Sequence, residues 1–329
     1  MPLTIQALPR PTEQVSADEI TIGLVNNMPD SALEATERQF SELLRAASGT
    51  RRVRLLFSTL PEVARGPAAA ARLAADYWPL SRLQELPLDA LIVTGMEPGA
   101  GPLDEAPYWP RFAQLVDWAQ THTISTIWSC LAAHAAVLRQ DGIQRQRLPM
   151  KRFGVYPHDL LRGHPLLAGV AAPLLTPHSR WNELPVAALR SAGYTILSGS
   201  AKTGADAFVK EARSLFVFFQ GHPEYEDTTL LKEYRRDVGR FVHGEQAHYP
   251  EQPDGYFSAA AIQLLDELRA RILSGPGLDD YPPAFPAESV ALGLHQTWNL
   301  GAVKIYGNWL ALIAAKKGKL SASSQAKNQ

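Results

Sequence analysis

Cys130 is the only cysteine in 329 residues, and its surroundings suit a nucleophile. It follows the apolar run Thr126-Ile127-Trp128-Ser129 and precedes Leu131 to Leu138, a stretch with few backbone breakers. That pattern reads as strand, sharp turn and helix, with the thiol at the turn, where free N–H groups and the helix dipole favour a thiolate. Far downstream, Gly221-His222-Pro223-Glu224-Tyr225 follows a second apolar run, Leu215 to Phe219. Pro223 fixes its own φ and biases its neighbour away from helix, and residues two apart in extended chain point the same way. His222 and Glu224 can therefore meet, and with Cys130 they would form a nucleophile, a base and a carboxylate that orients the base. The alternatives are a buried cysteine acting as a small hydrophobe and a loop histidine beside a solvated glutamate.

Composition limits the function classes. Lys+Arg 32 against Asp+Glu 33 gives a net charge of −1, which lends no global support to binding nucleic acid or an anionic membrane surface. A lone cysteine excludes an intramolecular disulfide and a multi-cysteine metal site. His122, His158, His164 and His243 show no metal-ligand spacing, so no metal is expected. No nucleotide-binding glycine motif occurs. No basic start leads into an apolar run, and no uncharged stretch approaches a membrane span of about 20 residues, so a cytoplasmic protein is expected.

Strand-like runs at Glu19–Val25, Arg52–Phe57 and Leu88–Gly95 alternate with helical spacing over 31–47 and 108–121. The near-continuous apolar character of Leu88–Gly95 suits a strand covered on both faces. This rhythm predicts a mostly parallel sheet flanked by helices, with Gly95, Cys130 and His222 on the edge formed by the strands' carboxyl ends. Residues 1–18 read as an irregular arm and 19–315 as one domain. Within it, 244–315 form a C-terminal helical extension, with helices over 258–274 and 298–315, and 316–329 read as a disordered tail.

Six segments, in order, resemble the MetA-type homoserine O-succinyltransferases and O-acetyltransferases. They are Asn26-Asn27-Met28-Pro29; Leu91 to Gly95 followed by Tyr108-Trp109; Lys151 with Gly154-Val155-Tyr156-Pro157-His158; Pro177-His178-Ser179-Arg180; Gly221 to Tyr225 with Thr229-Leu230 and Glu233 to Asp237; and Asn308-Trp309-Leu310. The resemblance implies a flavodoxin-like, class I glutamine amidotransferase-like fold and a homodimer. It implies an acyl group, succinyl by preference, passing from acyl-CoA to Cys130 and then to the γ-hydroxyl of L-homoserine in methionine biosynthesis. Neither a permanently bound cofactor nor a metal is implied. His222 and Glu224 would serve as base and orienting carboxylate, and the Leu131 backbone N–H as an oxyanion donor. Arg236 would grip the amino acid's carboxylate, with Lys151 and Ser179 also at the substrate. Gly99 stands where the family selects its acyl donor, and glycine there leaves room for succinyl.

The chain also departs from the family pattern. Asp30-Ser31 replace the lysines that usually follow the Asn-Met-Pro turn, Leu131 replaces a tryptophan after the nucleophile, and the N-terminal segment is shorter. Two rival readings follow: a cysteine hydrolase or amidotransferase of the same fold, and an acyltransferase with another amino acid as acceptor or acetyl-CoA as donor.

Overall fold

The computed structural model describes residues 3–6, 19–96, 101–275 and 283–327. The twelve strands are β1 (Leu3–Gln6), β2 (Glu19–Val25), β3 (Arg52–Ser58), β4 (Ala90–Val93), β5 (Ser125–Ser129), β6 (Gln146–Leu160), β7 (Leu174–Glu183), β8 (Thr195–Ile196), β9 (Ser198–Ser200), β10 (Gly204–Ala205), β11 (Ala207–Glu211) and β12 (Leu215–Phe219). The helices are α1 (Leu33–Ser48), α2 (Pro67–Asp76), α3 (Leu80–Glu85), α4 (Trp109–His122), α5 (Leu131–Asp141), α6 (Val186–Ser191), α7 (Thr229–Val242), α8 (Ala259–Leu273), α9 (Ala287–Ala291) and α10 (Asn299–Lys327).

Eight strands form the main sheet in the order β1-β3-β2-β4-β5-β12-β11-β8. The first six run parallel, and β11 and β8 close one edge antiparallel. Side-chain alternation along each strand feeds two cores. Trp128, Phe216 and Phe218 pack on one face with α4 and α5, while Ile127, Val217 and Phe219 pack on the other with α1 and α10. Because β4, β5 and β12 are parallel neighbours in register (Val93 opposite Trp128, Phe219 opposite Ser129), the residues that follow them emerge together at one edge. The mostly parallel sheet expected from the alternating pattern is thus present.

A second, four-stranded sheet, β10-β9-β6-β7, was not foreseen. Its long strands carry Pro149, Pro157 and Pro177 and many charges, which mask the strand pattern. Two terminal readings also differ from what the structure contains. The expected irregular arm includes β1, which pairs with β3 from Leu3 opposite Val53. The expected disordered tail continues α10 to Lys327, anchored where Lys317 donates to the Glu19 carbonyl and to Asp89.

α10 is buried along Ala302, Ile305, Tyr306, Trp309, Leu310 and Ile313, at helical spacing. Two of its glycines are contact points: a Cβ on Gly301 would stand 2.6 Å from Leu174 Cδ1, and one on Gly307 3.3 Å from the Ala47 carbonyl. The Trp309 indole N–H donates to Ser125 Oγ (2.8 Å), fixing this helix beneath the strand that leads to Cys130.

Candidate active site

Cys130 joins β5 to α5 at φ +52° and ψ −114°, the only positive φ at a non-glycine residue among those described. A side chain in that region is strained by roughly 1–3 kcal/mol, and the surrounding bonds enforce it. The Cys130 N–H donates to the Phe219 carbonyl (2.8 Å), and its own carbonyl accepts from Ala133 (3.0 Å) at the start of α5. The thiol thus sits at the helix N-terminus, partly exposed. First-turn N–H groups have no intrahelical acceptor, and Leu131 supplies one of them. A Cβ on Gly95 would lie 3.2 Å from that nitrogen, so glycine keeps the space beside the amide open.

His222 arrives from the end of β12, its N–H held by the Pro177 carbonyl (2.8 Å). Its Nδ1 meets Glu224 Oε1 at 2.8 Å, and the ring lies within electrostatic reach of Cys130. Both His222 and Glu224 are buried. Burial works against the imidazolium, but Cys130 and Glu224 overcome it by charge and hydrogen bond and raise His222 well above its ordinary range. Ser129 Oγ donates to the same Glu224 oxygen at 3.4 Å. The other oxygen, Oε2, has no partner among the described residues; nor has the buried Tyr306 hydroxyl, which lies within electrostatic reach of Glu224.

Lys151 and Ser179, from β6 and β7, meet α7. Lys151 Nζ donates to Asp237 Oδ2 (2.9 Å), and Ser179 Oγ donates to Glu233. Arg236 Nε and Nη2 both donate to Asp237 Oδ1 (3.1 and 2.9 Å), with about half of the side chain exposed. Burial would raise Asp237, but Lys151 and Arg236 hold it below the usual carboxylate value. Tyr225 links this cluster to the triad: its hydroxyl donates to Glu233 (2.7 Å) and its ring stacks on His222 with centroids 4.2 Å apart. Gly99 lies outside the described residues.

Where the family carries lysines, Asp30 instead accepts from the Gly66 N–H (2.8 Å) and pairs with Arg65, which also donates to the Met28 and Asn26 carbonyls. The local cation is therefore committed to shaping the turn. His134, one turn after Cys130, is buried, bonds Gln220 Oε1 (3.0 Å) and is pushed down to about 3, chiefly by burial and then by Arg180. It is a neutral packing residue.

His158, His178 and Asp206 form a fully buried cluster that local spacing did not reveal, because they come from β6, β7 and the turn before β11. Arg180 Nε donates to His178 Nδ1 (3.2 Å), so the proton of that neutral ring sits on Nε2, which faces His158 and Asp206. A ring nitrogen carrying a proton is no metal ligand, and the cluster acts instead as a brace. A Cβ on Gly221 would stand 2.6 Å from Thr176 Cγ2, 2.8 Å from Asp206 Oδ1 and 2.9 Å from the Pro177 carbonyl. Gly221→Ala is therefore expected to cost about 1–3 kcal/mol in denaturant unfolding and to lower kcat by displacing His222. An unchanged stability and rate would contradict this placement.

Comparison with known proteins identifies the family. A family model for homoserine O-succinyltransferase matches residues 8–319. The homoserine O-succinyltransferase of Rhodopseudomonas palustris is 47% identical over 310 residues, covering 93% of this chain and 92% of the relative. That of Methylorubrum extorquens is 44% identical over 310 residues, covering 94% and 90%. Among solved structures, a glutamine amidotransferase from Methylobacillus flagellatus superposes with a TM-score of 0.51 at 15% identity, covering 90% of this chain and 96% of that one, a likeness of fold.

Proposed function

The chain belongs to the homoserine O-succinyltransferase family, and we propose that it performs the reaction of that name through an acyl-enzyme on Cys130, with succinyl-CoA as donor and the γ-hydroxyl of L-homoserine as acceptor. The observation that carries this reading is the pairing of His222 with Glu224 within electrostatic reach of Cys130, which starts a helix.

In the first half-reaction His222 takes the thiol proton, the Cys130 sulfur attacks the thioester carbonyl, and the oxyanion accepts a hydrogen bond from the Leu131 N–H. The bond to the coenzyme sulfur breaks, and His222 returns a proton to that leaving group. In the second, His222 takes the proton of the homoserine hydroxyl as its oxygen attacks the acyl carbon, and the Cys130 sulfur leaves. The ammonium of homoserine fits Glu233, while its carboxylate fits Arg236 and Lys151, close to His222 through the stacked Tyr225. The proposal includes a cytoplasmic homodimer without a permanently bound cofactor. Among the described residues no helix is long and apolar enough to cross a membrane.

Two tests follow. Initial rates with both substrates varied should give parallel double-reciprocal lines, whereas intersecting lines would contradict a free acyl-enzyme. Glu224→Gln should lower kcat about 100-fold. It also removes one of the groups that raise His222. The acid limb of the deacylation profile, which reports the loss of the imidazolium proton, should therefore move to lower pH. A limb that stays in place would separate Glu224 from the base. Release of ammonia from glutamine would favour the hydrolase reading instead.

A further inference from the structure

The guanidinium groups of Arg145 and Arg180 lie within electrostatic reach of Cys130. Arg180 is committed. It is buried, and it donates to His178 Nδ1 and to the Asn182 and Thr203 carbonyls. Arg145, on the link between α5 and β6, makes no hydrogen bond or ion pair among the described residues although it is only partly exposed. A cation half removed from water within electrostatic reach of a nucleophile, with no carboxylate paired to it among the described residues, is a site for an anionic ligand.

A second, independent group points the same way. Tyr108 caps the N-terminus of α4 and is 8% exposed; its hydroxyl has no hydrogen-bond partner among the described residues. Its ring belongs to the apolar cluster that also holds Met96 and Leu131, and its hydroxyl and the Arg145 guanidinium interact electrostatically. Buried hydroxyls usually find a partner, and one left open beside a free guanidinium suits a carboxylate that accepts from both.

The chemistry of the donor selects the anion. In a succinyl thioester the terminal carboxylate carbon lies roughly 4 Å from the thioester carbon, by bond lengths of about 1.5 Å. Its receptor must therefore flank the attacking sulfur, while the coenzyme phosphates lie a whole pantetheine arm away. The homoserine carboxylate is met elsewhere, by Lys151 and Arg236 at α7. Arg65, near the place where the family carries lysines, is already occupied by carbonyls and Asp30.

We propose that Arg145, assisted by the Tyr108 hydroxyl, binds the terminal carboxylate of the succinyl group while the thioester carbonyl faces Cys130. The planar guanidinium fork suits bidentate pairing with that carboxylate. This assignment rests on the acyl-enzyme reading and adds to it the residues that distinguish a dicarboxylic acyl group from acetyl.

The test uses the full chain and N-acetylcysteamine thioesters of succinate, of its monomethyl ester and of acetate, which lack the nucleotide. Acylation of Cys130 is timed by intact mass spectrometry. Wild type should favour succinyl over its uncharged methyl ester by about 100-fold or more. Arg145→Met should erase most of that preference and lower the succinyl-to-acetyl ratio about as much. Tyr108→Phe should lower the ratio about 10-fold, and Arg145→Lys should restore part of it. Should Arg145→Met unfold, the ratios for Tyr108→Phe and for the methyl ester on wild type decide. A ratio unmoved by the substitutions, or rates for all donors falling together, overturns the assignment. No adduct on wild-type Cys130 with any donor would instead sink the acyl-enzyme reading beneath it.

Discussion

Cys130→Gly is expected to lose about 10⁴-fold or more in kcat and at the same time to unfold at higher denaturant. The loss follows from removing the only atom able to carry the acyl group; where nucleophile and base act as a unit, deleting either costs on the order of 10⁴–10⁶ in kcat. The gain follows from the backbone. Cys130 is held at φ +52°, a region that glycine enters without the Cβ penalty, so relief of about 1 kcal/mol is expected. Cys130→Ala retains the Cβ and should be inactive without that gain. If glycine were no more stable than alanine here, the strain would not be real. If either kept more than a hundredth of the wild-type rate, the sulfur would not be the nucleophile.

His222→Asn should cost on the order of 10⁴ in kcat, since no other described group is placed to move a proton between Cys130 and the acceptor hydroxyl. Its pH signature is equally specific. Burial opposes the charged ring, yet Cys130 and Glu224 raise His222 well above its ordinary 6.5. The folded protein thus holds this proton more tightly than the unfolded chain. The resulting stabilisation is full below about 6.5 and lost as pH climbs through the raised value. Denaturant unfolding of wild type should show that decline above neutrality, and His222→Asn should flatten it. An equal decline in the variant would assign it to other groups.

The parallel half of the fold was legible because its strands are buried on both faces. Glu19–Val25 carries a β-type run and Leu215–Phe219 a continuous apolar one, and their bounds coincide with β2 and β12. The turn at Cys130 was legible for the same reason, an apolar strand meeting an alanine-rich helix start. The second sheet was hidden because β6 and β7, which pair with each other, interleave proline, charge and histidine. Lys151, Ser179 and Arg236 could be nominated through family resemblance alone. Their joint attachment to Glu233 and Asp237 on α7 needs the folded chain to be seen. Tyr225 and Glu233 were visible only as letters in a motif. Arg145 gave no signal, since one arginine among Arg147, Lys151 and Arg152 reads as a solvated face; only its lack of a hydrogen-bond or ion-pair partner among the described residues sets it apart.

The catalytic arrangement is tested most directly by exposing the pure protein briefly to succinyl-CoA, quenching in acid and mapping peptides by mass spectrometry. A succinyl group confined to the Cys130 peptide, removed on adding L-homoserine with O-succinylhomoserine as product, is the predicted result. An unmodified Cys130 while product still accumulates would contradict it, because the acyl group would then have crossed without resting on sulfur.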